Sequence, residues 1–431
     1  MAAIALAVAA VAPAAGAQPS PTAPVVAFER VTVIPMDRTE PLRNHTVVVT
    51  GGTISALGPT GRVPVPEGAR RIDGRGKVLF PGLTDAHVHL AHAPEQWMGW
   101  FLAHGVTTVF NLHGTERHLA LADQVTRGEI VGPNVYTSGP FTNQPAIATP
   151  ADAERAVREQ KAAGFHFVKI HGNLSAEAYA ALIAAGRTEG IAVIGHAPRN
   201  LPFDSVITMR QPMVAHAEEL IYTRFRRLDT LAVPDVATRM AAAGVWLTPT
   251  LTTFRGIARQ WSAPASIDTV LASGDASRLT DLLHTYWRNG NPYTGRPNGR
   301  DGIQRAYAFQ LPLVGILHRA GVPLLTGTDT PLPIMVPGRS LHDELAEFEA
   351  AGVSRIDALA AATVNPGRFI RQFVDSTARF GIIASGFRAD LLLLDDDPRS
   401  SRTALIRPAG VMVAGRWFDR ARLDAMLATG R

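Results

Sequence analysis

Val78-Leu-Phe-Pro-Gly-Leu-Thr-Asp-Ala-His-Val-His-Leu90 is an apolar run that ends in two histidines, His87 and His89. Alternate side chains of a β-strand share a face, so imidazoles two residues apart project together. The run predicts a buried strand that delivers two nitrogen ligands to one metal ion. Taken alone, a His-x-His pair reads as no more than a polar strand end. The arrangement recurs, however. Gly164-Phe-His-Phe-Val-Lys-Ile-His-Gly172 carries Lys169, Ile191-Ala-Val-Ile-Gly-His-Ala197 carries His196, and Gln211-Pro-Met-Val-Ala-His-Ala-Glu218 carries His216. Gly321-Val-Pro-Leu-Leu-Thr-Gly-Thr-Asp-Thr330 ends in Asp329. Each segment is an apolar run with a metal-binding group at or near the same end, and chance does not repeat that so often.

Lys169 stands out by composition. Of 42 basic residues only three are lysines, Lys77, Lys161 and Lys169, and arginine serves almost everywhere else. An amine inside a strand-like apolar run is costly unless it is paired or chemically altered. Burial lowers its pKa, and the neutral amine reacts with carbon dioxide to give a carbamate, an anion with two oxygens. A guanidinium stays protonated and cannot follow that route. Pairing with a nearby acid is the alternative. His171 shares the strand face of Lys169, whereas His166 and Val168 face the other way.

Strand-like runs fall near residues 78–88, 106–112, 134–139, 165–170, 191–196, 212–216, 244–249 and 321–327. Helical patterns separate them, as in Ala151–Ala163, Ser175–Arg187, Pro234–Ala243 and Gly302–Ala320. Alternating units of this kind predict an α/β fold, and their number predicts a (β/α)8 TIM barrel. The proposed ligands lie toward the C-terminal ends of the strands, the face on which barrel enzymes carry their chemistry. Residues 27–76 and 381–425 are instead β-branched, alternating and turn-rich. Leu251–Arg300 is longer than an ordinary connection and holds Trp261, Tyr286, Trp287 and Tyr293. Following the seventh strand, it is expected to form a lid or substrate wall over the mouth, with an ordinary surface insertion as the alternative.

Together, Pro81-Gly-Leu-Thr-Asp-Ala-His-Val-His89, Lys169, His196, His216 and Thr326-Gly-Thr-Asp329 resemble the amidohydrolase superfamily. The members meant are those whose two-metal centre is bridged by a carboxylated lysine. Ala361-Ala-Thr-Val-Asn-Pro-Gly367 and Gly386-Phe-Arg-Ala-Asp-Leu-Leu-Leu-Leu394 extend the likeness over residues 27–419. The branch most resembled contains imidazolonepropionase-related proteins and bacterial prolidase-like dipeptidases. The resemblance implies a small β-sandwich built from residues 27–76 and 381–425, beside a hydrolase barrel over 77–380. It implies that His87, His89 and Asp329 bind one metal, that His196 and His216 bind a second, and that carboxylated Lys169 bridges both. Zn²⁺ is the default ion, with Mn²⁺, Co²⁺ or Fe²⁺ suited to the same ligands. It also implies that Asp329 takes the proton of a metal-bridging hydroxide or water and passes it to the leaving group. A one-metal site built from His87, His89, one further histidine and Asp329 is the alternative.

This resemblance points to hydrolysis of an amide in dipeptide or N-acyl amino acid substrates. Esterase, lactonase, phosphotriesterase and cyclic-amide chemistry on the same centre is the alternative. A metal-binding protein without hydrolysis fits less well, because Asp329 can act as base as well as ligand. Residues just beyond the ligands are candidate substrate contacts: His113, His171, Tyr222, Thr250, Arg339 and His342. An Arg or Tyr there suits a substrate carboxylate, and each has a purely structural role as its alternative. His113 departs from the dipeptidase-like relatives, in which an Arg-containing motif often ends strand two.

With 431 residues and 46% hydrophobic content, the chain is long enough for a large core. Its net charge of +5 is dispersed, with no basic run interleaved with aromatics, so nucleic acid is not an expected partner. The expected partner is a small-molecule substrate, and homo-oligomers are compatible with the sequence. Residues 2–17 are small and apolar and close on Ala15-Gly-Ala17, which reads as a signal peptide over 1–17 and a bacterial periplasmic or secreted location. The segment lacks a basic leader, so the true start is expected upstream, and it is too short for stable membrane insertion. With no Cys in the chain, disulfides and thiolate ligands are excluded.

Overall fold

The computed structural model describes residues 24–91, 93–263, 265–272, 274–293 and 299–428. The expected signal peptide over 1–17 lies outside the described residues. Five strands open the chain: β1 (Val25–Val33), β2 (Leu42–Thr50), β3 (Thr53–Pro59), β4 (Arg70–Asp73) and β5 (Val78–Pro81). Seven more alternate with helices: β6 (Leu83–Val88), β7 (Val106–Asn111), β8 (Asn134–Thr142), β9 (Phe167–Ile170), β10 (Ala192–Gly195), β11 (Met213–Ala215) and β12 (Trp246–Thr248). The last three are β13 (Leu391–Leu394), β14 (Gly410–Val413) and β15 (Arg416–Asp419).

Strands β6 to β12 pair in sequence order, all parallel. Segment 321–330 closes the ring as the eighth stave. Its Leu324 bridges Leu247 and its Thr330 bridges Val88. The Leu325 N–H donates to the Leu247 carbonyl (2.9 Å) and Asp329 N–H to the His87 carbonyl (2.7 Å). No regular ladder forms there: Pro323 has no N–H to donate, and Asp329 leaves the extended region with φ +53°. The result is the TIM barrel expected from the alternating pattern. Inside it, Phe110, Phe167, Met213, Trp246 and Leu325 form an apolar floor with Phe369 from the helix Val364–Phe373. Burying each such aromatic contributes about 2–3 kcal/mol. The polar chemistry is thereby confined to the upper ends of the strands.

The run 78–88 does not make one strand. It divides at Gly82, so that β5 joins a separate mixed sheet and only β6 enters the barrel. A Cβ on Gly82 would lie 2.1 Å from Thr107 Oγ1, so only glycine lets the chain cross against β7 at that point. The mixed sheet runs β15-β14-β13-β5-β1-β2-β3, with β4 also on β1. It curls until Gly52, at the β2–β3 turn, meets Ala414 at the β14–β15 turn. The enclosed core is Val26, Phe28, Val47, Ile54, Leu79, Leu391 and Met412 among others. Both chain ends therefore build one small β domain beside the barrel.

Several helices start where the sequence supplies a side-chain cap. Thr149 and Asp152 exchange side-chain and backbone hydrogen bonds at the start of Pro150–Ala162. The long insertion after β12 holds the helices Leu251–Ser262, Ser266–Leu271 and Asp281–Asn289. Buried Glu344 accepts from the N–H groups of Leu251 (3.1 Å) and Thr252 (2.7 Å), which anchors its first turn. Trp287 Nε1 donates to the Pro331 carbonyl at 2.9 Å and anchors its far side. Among the described residues, no helix is long and apolar enough to cross a membrane.

Candidate metal centre

The five ligand-bearing segments end together at the barrel mouth. His87 lies fully buried on β6, with Nε2 at 3.4 Å from Lys169 Nζ and 3.4 Å from Asp329 Oδ1. His89 leaves the same face, and its Nε2 reaches Asp329 Oδ1 at 2.8 Å. Across the ring, His216 Nε2 is 4.0 Å from Asp329 Oδ2. His87, His216 and Asp329 each offer a ligand atom within 4.8 Å of the others'. His196 follows β10, and its ring centroid is 4.7 Å from that of His216. Lys169 on β9 pairs in register with Ile194 on β10, which sets its amine beside these rings.

Backbone strain collects here. His216 (φ +74°), Thr250 (φ +51°) and Asp329 (φ +53°) are all left-handed without being glycine. Such conformers cost roughly 1–3 kcal/mol each and persist where the surroundings hold them. The holding bonds are present: His216 N–H donates to the Thr248 carbonyl (2.8 Å) and Asp329 N–H to that of His87. Buried Asp85 braces the first and eighth staves by accepting from the Thr328 hydroxyl (2.6 Å), the Thr328 N–H (3.0 Å) and the His87 N–H (3.2 Å).

Outward-facing nitrogens fix the tautomers. The Thr250 hydroxyl donates to the Pro249 carbonyl, so its oxygen accepts from His216 Nδ1–H at 2.8 Å. The His196 Nδ1–H donates to Glu219 Oε1 at 2.7 Å, and Arg199 Nη2 donates to the same oxygen at 2.6 Å. Both rings thus turn an Nε2 lone pair inward, as metal-binding imidazoles do. Burial presses His87, His196 and His216 well below the usual histidine pKa, with Lys169 and neighbouring rings adding to it. The rings are therefore neutral at pH 7. Burial also lowers the Lys169 amine to about 8, against the pull of Asp329 and Glu219. Burial opposes ionisation of Asp329, but the hydrogen bond from His89 and the field of His89, His216 and Lys169 outweigh it and hold the carboxyl at about 2.

Neutral ring nitrogens and an ionised carboxylate, dry and convergent, present lone pairs to one another. That donor set fits divalent cations of the borderline class. A buried amine whose pKa is lowered suits carbamate formation, so the residues present fit the group the sequence implied.

The candidate substrate contacts divide. The His113 ring stacks on Phe141 at 3.8 Å, and Phe141 stacks on His171 at 4.4 Å. His171 in turn lies 4.6 Å from the His196 ring. The Arg199 guanidinium covers the Tyr222 ring at 4.6 Å. His113, His171 and Tyr222 thus line one side of the mouth, exposed to solvent. Three others do not face it. Thr250 is buried, with its hydroxyl bonded to His216 Nδ1 and the Pro249 carbonyl. Arg339 pairs with Asp343 (3.1 Å), and buried His342 Nε2 donates to the His104 carbonyl (3.0 Å). Loop 331–338 carries both to the outer helix Arg339–Ala350, whose start packs on the helix Met98–Ala103. Sequence reasoning missed Asp85, Arg199 and Glu219. The Glu218-Glu219 pair, one residue beyond His216-Ala217, was the available signal for the last.

The amidohydrolase family description matches residues 78–418. A 5-methylthioadenosine/S-adenosylhomocysteine deaminase of Symbiobacterium thermophilum is 30% identical over 141 residues, 31% of this chain and 30% of that protein. The matched part is thus under a third of that relative's length. Bottromycin amidohydrolase superposes with a TM-score of 0.73 at 24% identity, covering 93% of this chain and 88% of that one. A Xaa-Pro dipeptidase with methionine bound in its active site gives a TM-score of 0.71 at 17% identity, covering 92% and 100%. These superpositions confirm the barrel and its added β domain. The family match spans most of the chain, and the chain belongs to the amidohydrolase family.

Proposed function

We propose that the protein is a metal-dependent hydrolase of carbon–nitrogen bonds that cleaves amides of the dipeptide or N-acyl amino acid type. The observation that carries this reading is the convergence of His87, His89, His196, His216, Lys169 and Asp329 at one end of the barrel. In this reading they hold two divalent cations, Zn²⁺ by default, with Lys169 as its carbon dioxide-derived carbamate. Such ions would supply a Lewis acid for a carbonyl oxygen and acidify a water.

The chain's own groups account for the rest. Asp329 is ionised and desolvated. With one carboxylate oxygen on a cation, the other would accept a proton from the attacking water and return it to the leaving nitrogen. An amine departs only when protonated, so amide cleavage needs that return. Thr250 and Glu219 keep the imidazoles in the tautomer that faces the centre. We read the insertion anchored by Glu344 and Trp287 as a wall beside the mouth, where Tyr286 and Tyr293 feel the charge of Asp329. The likeness to a bottromycin amidohydrolase and a Xaa-Pro dipeptidase supports an amide over an ester, through the fold they share. The test is a mass-spectrometric screen of Zn²⁺-loaded protein, grown with bicarbonate, against pooled dipeptides and N-acyl amino acids. Cleavage by the wild type and not by Asp329→Asn is expected. No cleavage with metal bound would overturn the amide reading in favour of esters, lactones or cyclic amides. We also propose export to the periplasm or medium from the segment 1–17, tested by fractionation of a bacterial host.

A further inference from the structure

Among the described residues, the large apolar side chains left exposed are Tyr222, Leu231, Leu282 and Ile356. Leu282 and Ile356 stand apart on two helices, Asp281–Asn289 and Arg355–Ala362. Tyr222 and Leu231 instead bracket one short stretch. A lone exposed leucine is ordinary. Leu231 is 88% exposed, however, and the chain between it and Tyr222 also carries Arg224, Arg226 and Arg227. The one acid there, Asp229, is engaged. Its side chain accepts from Leu231 N–H at 2.9 Å and starts the 3-10 turn Thr230–Ala232, so a capped turn presents Leu231 to solvent. Arg226 Nε donates to the Tyr222 carbonyl at 2.9 Å. The guanidinium groups of Arg224 and Arg227 have no hydrogen bond or ion pair among the described residues. With Arg199, the three arginines line a cavity of about 550 Å³, and Arg199 is already held by Glu219.

Guanidinium groups match phosphates in shape and charge. A leucine and a tyrosine ring beside them favour the boundary between water and hydrocarbon. An anionic lipid surface offers both partners at once, a plane of phosphates with acyl carbons beneath it. An acidic protein would engage the arginines and leave Leu231 in water.

We propose that the stretch 222–231 docks the protein reversibly on an anionic phospholipid surface, with Arg224 and Arg227 on headgroup phosphates and Leu231 among the upper acyl carbons. A small basic patch with one apolar side chain supports reversible association and not insertion. Tyr222 also lines the mouth, so docking turns the mouth toward the lipid. The proposal goes beyond the hydrolase reading and does not depend on it.

The test is co-sedimentation of the metal-loaded full chain with vesicles of phosphatidylcholine alone and with vesicles in which roughly a third of the lipid is phosphatidylglycerol. At low salt the wild type should favour the anionic vesicles by about tenfold or more, and the preference should shrink as ionic strength rises. In Arg224→Gln/Arg227→Gln the preference should fall to about twofold or less. Leu231→Ser should keep the preference but weaken binding to the anionic vesicles by about three- to tenfold. All three side chains are exposed, so these variants leave the core intact. Every chain compared carries residues 1–17, so any lipid affinity of that apolar segment is common to all. Equal binding of the wild type to the two vesicles overturns the proposal, and so does a preference that survives the double variant. Binding unchanged in Leu231→Ser overturns it as well, because a purely ionic patch fits an acidic protein instead. Binding is read without turnover, so failure of the hydrolase reading would leave these outcomes as they are.

Discussion

The metal cradle and the rim around it are built on opposite principles. In the cradle His87, Lys169, His216 and Asp329 are buried and strained in backbone at two of the four, and Thr250 holds the His216 ring from behind. At the rim His113, His171, Arg199 and Tyr222 are exposed and held by stacking of planar groups. Strand register positions the first set, and loop geometry positions the second. The difference teaches where chemistry and selectivity reside in this fold. A centre set by barrel register tolerates almost no change, whereas a stacked rim can change composition without unsettling the staves beneath.

That contrast predicts a steep gradient of mutational effects. Asp329→Asn stands at the top. It removes the base and a ligand together, and amide turnover should fall by about 10³-fold or more. Activated esters, whose leaving groups need no proton, should retain a larger share of activity. Equal loss on both substrates would break the proton-return argument. Next comes Lys169→Ala, which should leave the protein folded but short of at least one metal by elemental analysis. Short carboxylic acids should restore part of the lost metal and activity. Full occupancy in the variant would remove Lys169 from the cradle.

Thr250→Ala should weaken metal binding by about 10–100-fold, as loss of an outer hydrogen-bond partner does. The variant frees His216 Nδ1 while leaving every inward-facing atom in place. Competition with a chelator of known affinity reads the change directly. Affinity unchanged, with only KM raised, would return Thr250 to the substrate-contact role that its position after strand seven suggested.

Thr250 also shows where reading the chain ran out. The staves were visible as apolar runs, and the convergence of His87 and His89 was visible because a strand's alternation sends every second side chain to one face. The lone buried lysine was visible because the chain uses arginine nearly everywhere else. Other features depended on contacts far apart in sequence. Gly82 splits the run 78–88 because Thr107, on another strand, leaves no room for a Cβ. The partner of His196 is Glu219, 23 residues away, and that of Asp85 is Thr328, 243 residues away. A local pattern can flag one member, as Glu218-Glu219 does, but it does not name the distant partner. Arg339 and His342 lie on an outer helix for a related reason. Position after a strand end predicts the mouth only when the connection is short, and loop 331–338 intervenes.

The smallest effect should come from the rim. Phe141 is sandwiched between His113 and His171, at 3.8 and 4.4 Å between ring centroids. Each stacking contact contributes about 0.5–1.5 kcal/mol. Phe141→Leu removes both, yet leaves no charge unpaired and no ligand without its partner. The two histidines should then sample other rotamers, raising KM by about 3–10-fold with kcat little altered. Metal content should match the wild type, since none of the outer hydrogen bonds of His196 and His216 runs through Phe141. Measuring KM, kcat and bound metal on one preparation sets the rim against the cradle directly. A loss of metal in this variant would mean that the stack, through the 4.6 Å contact of His171 with His196, also supports the centre. Rim and cradle would then be one mechanical unit, and selectivity could not change without cost to the chemistry.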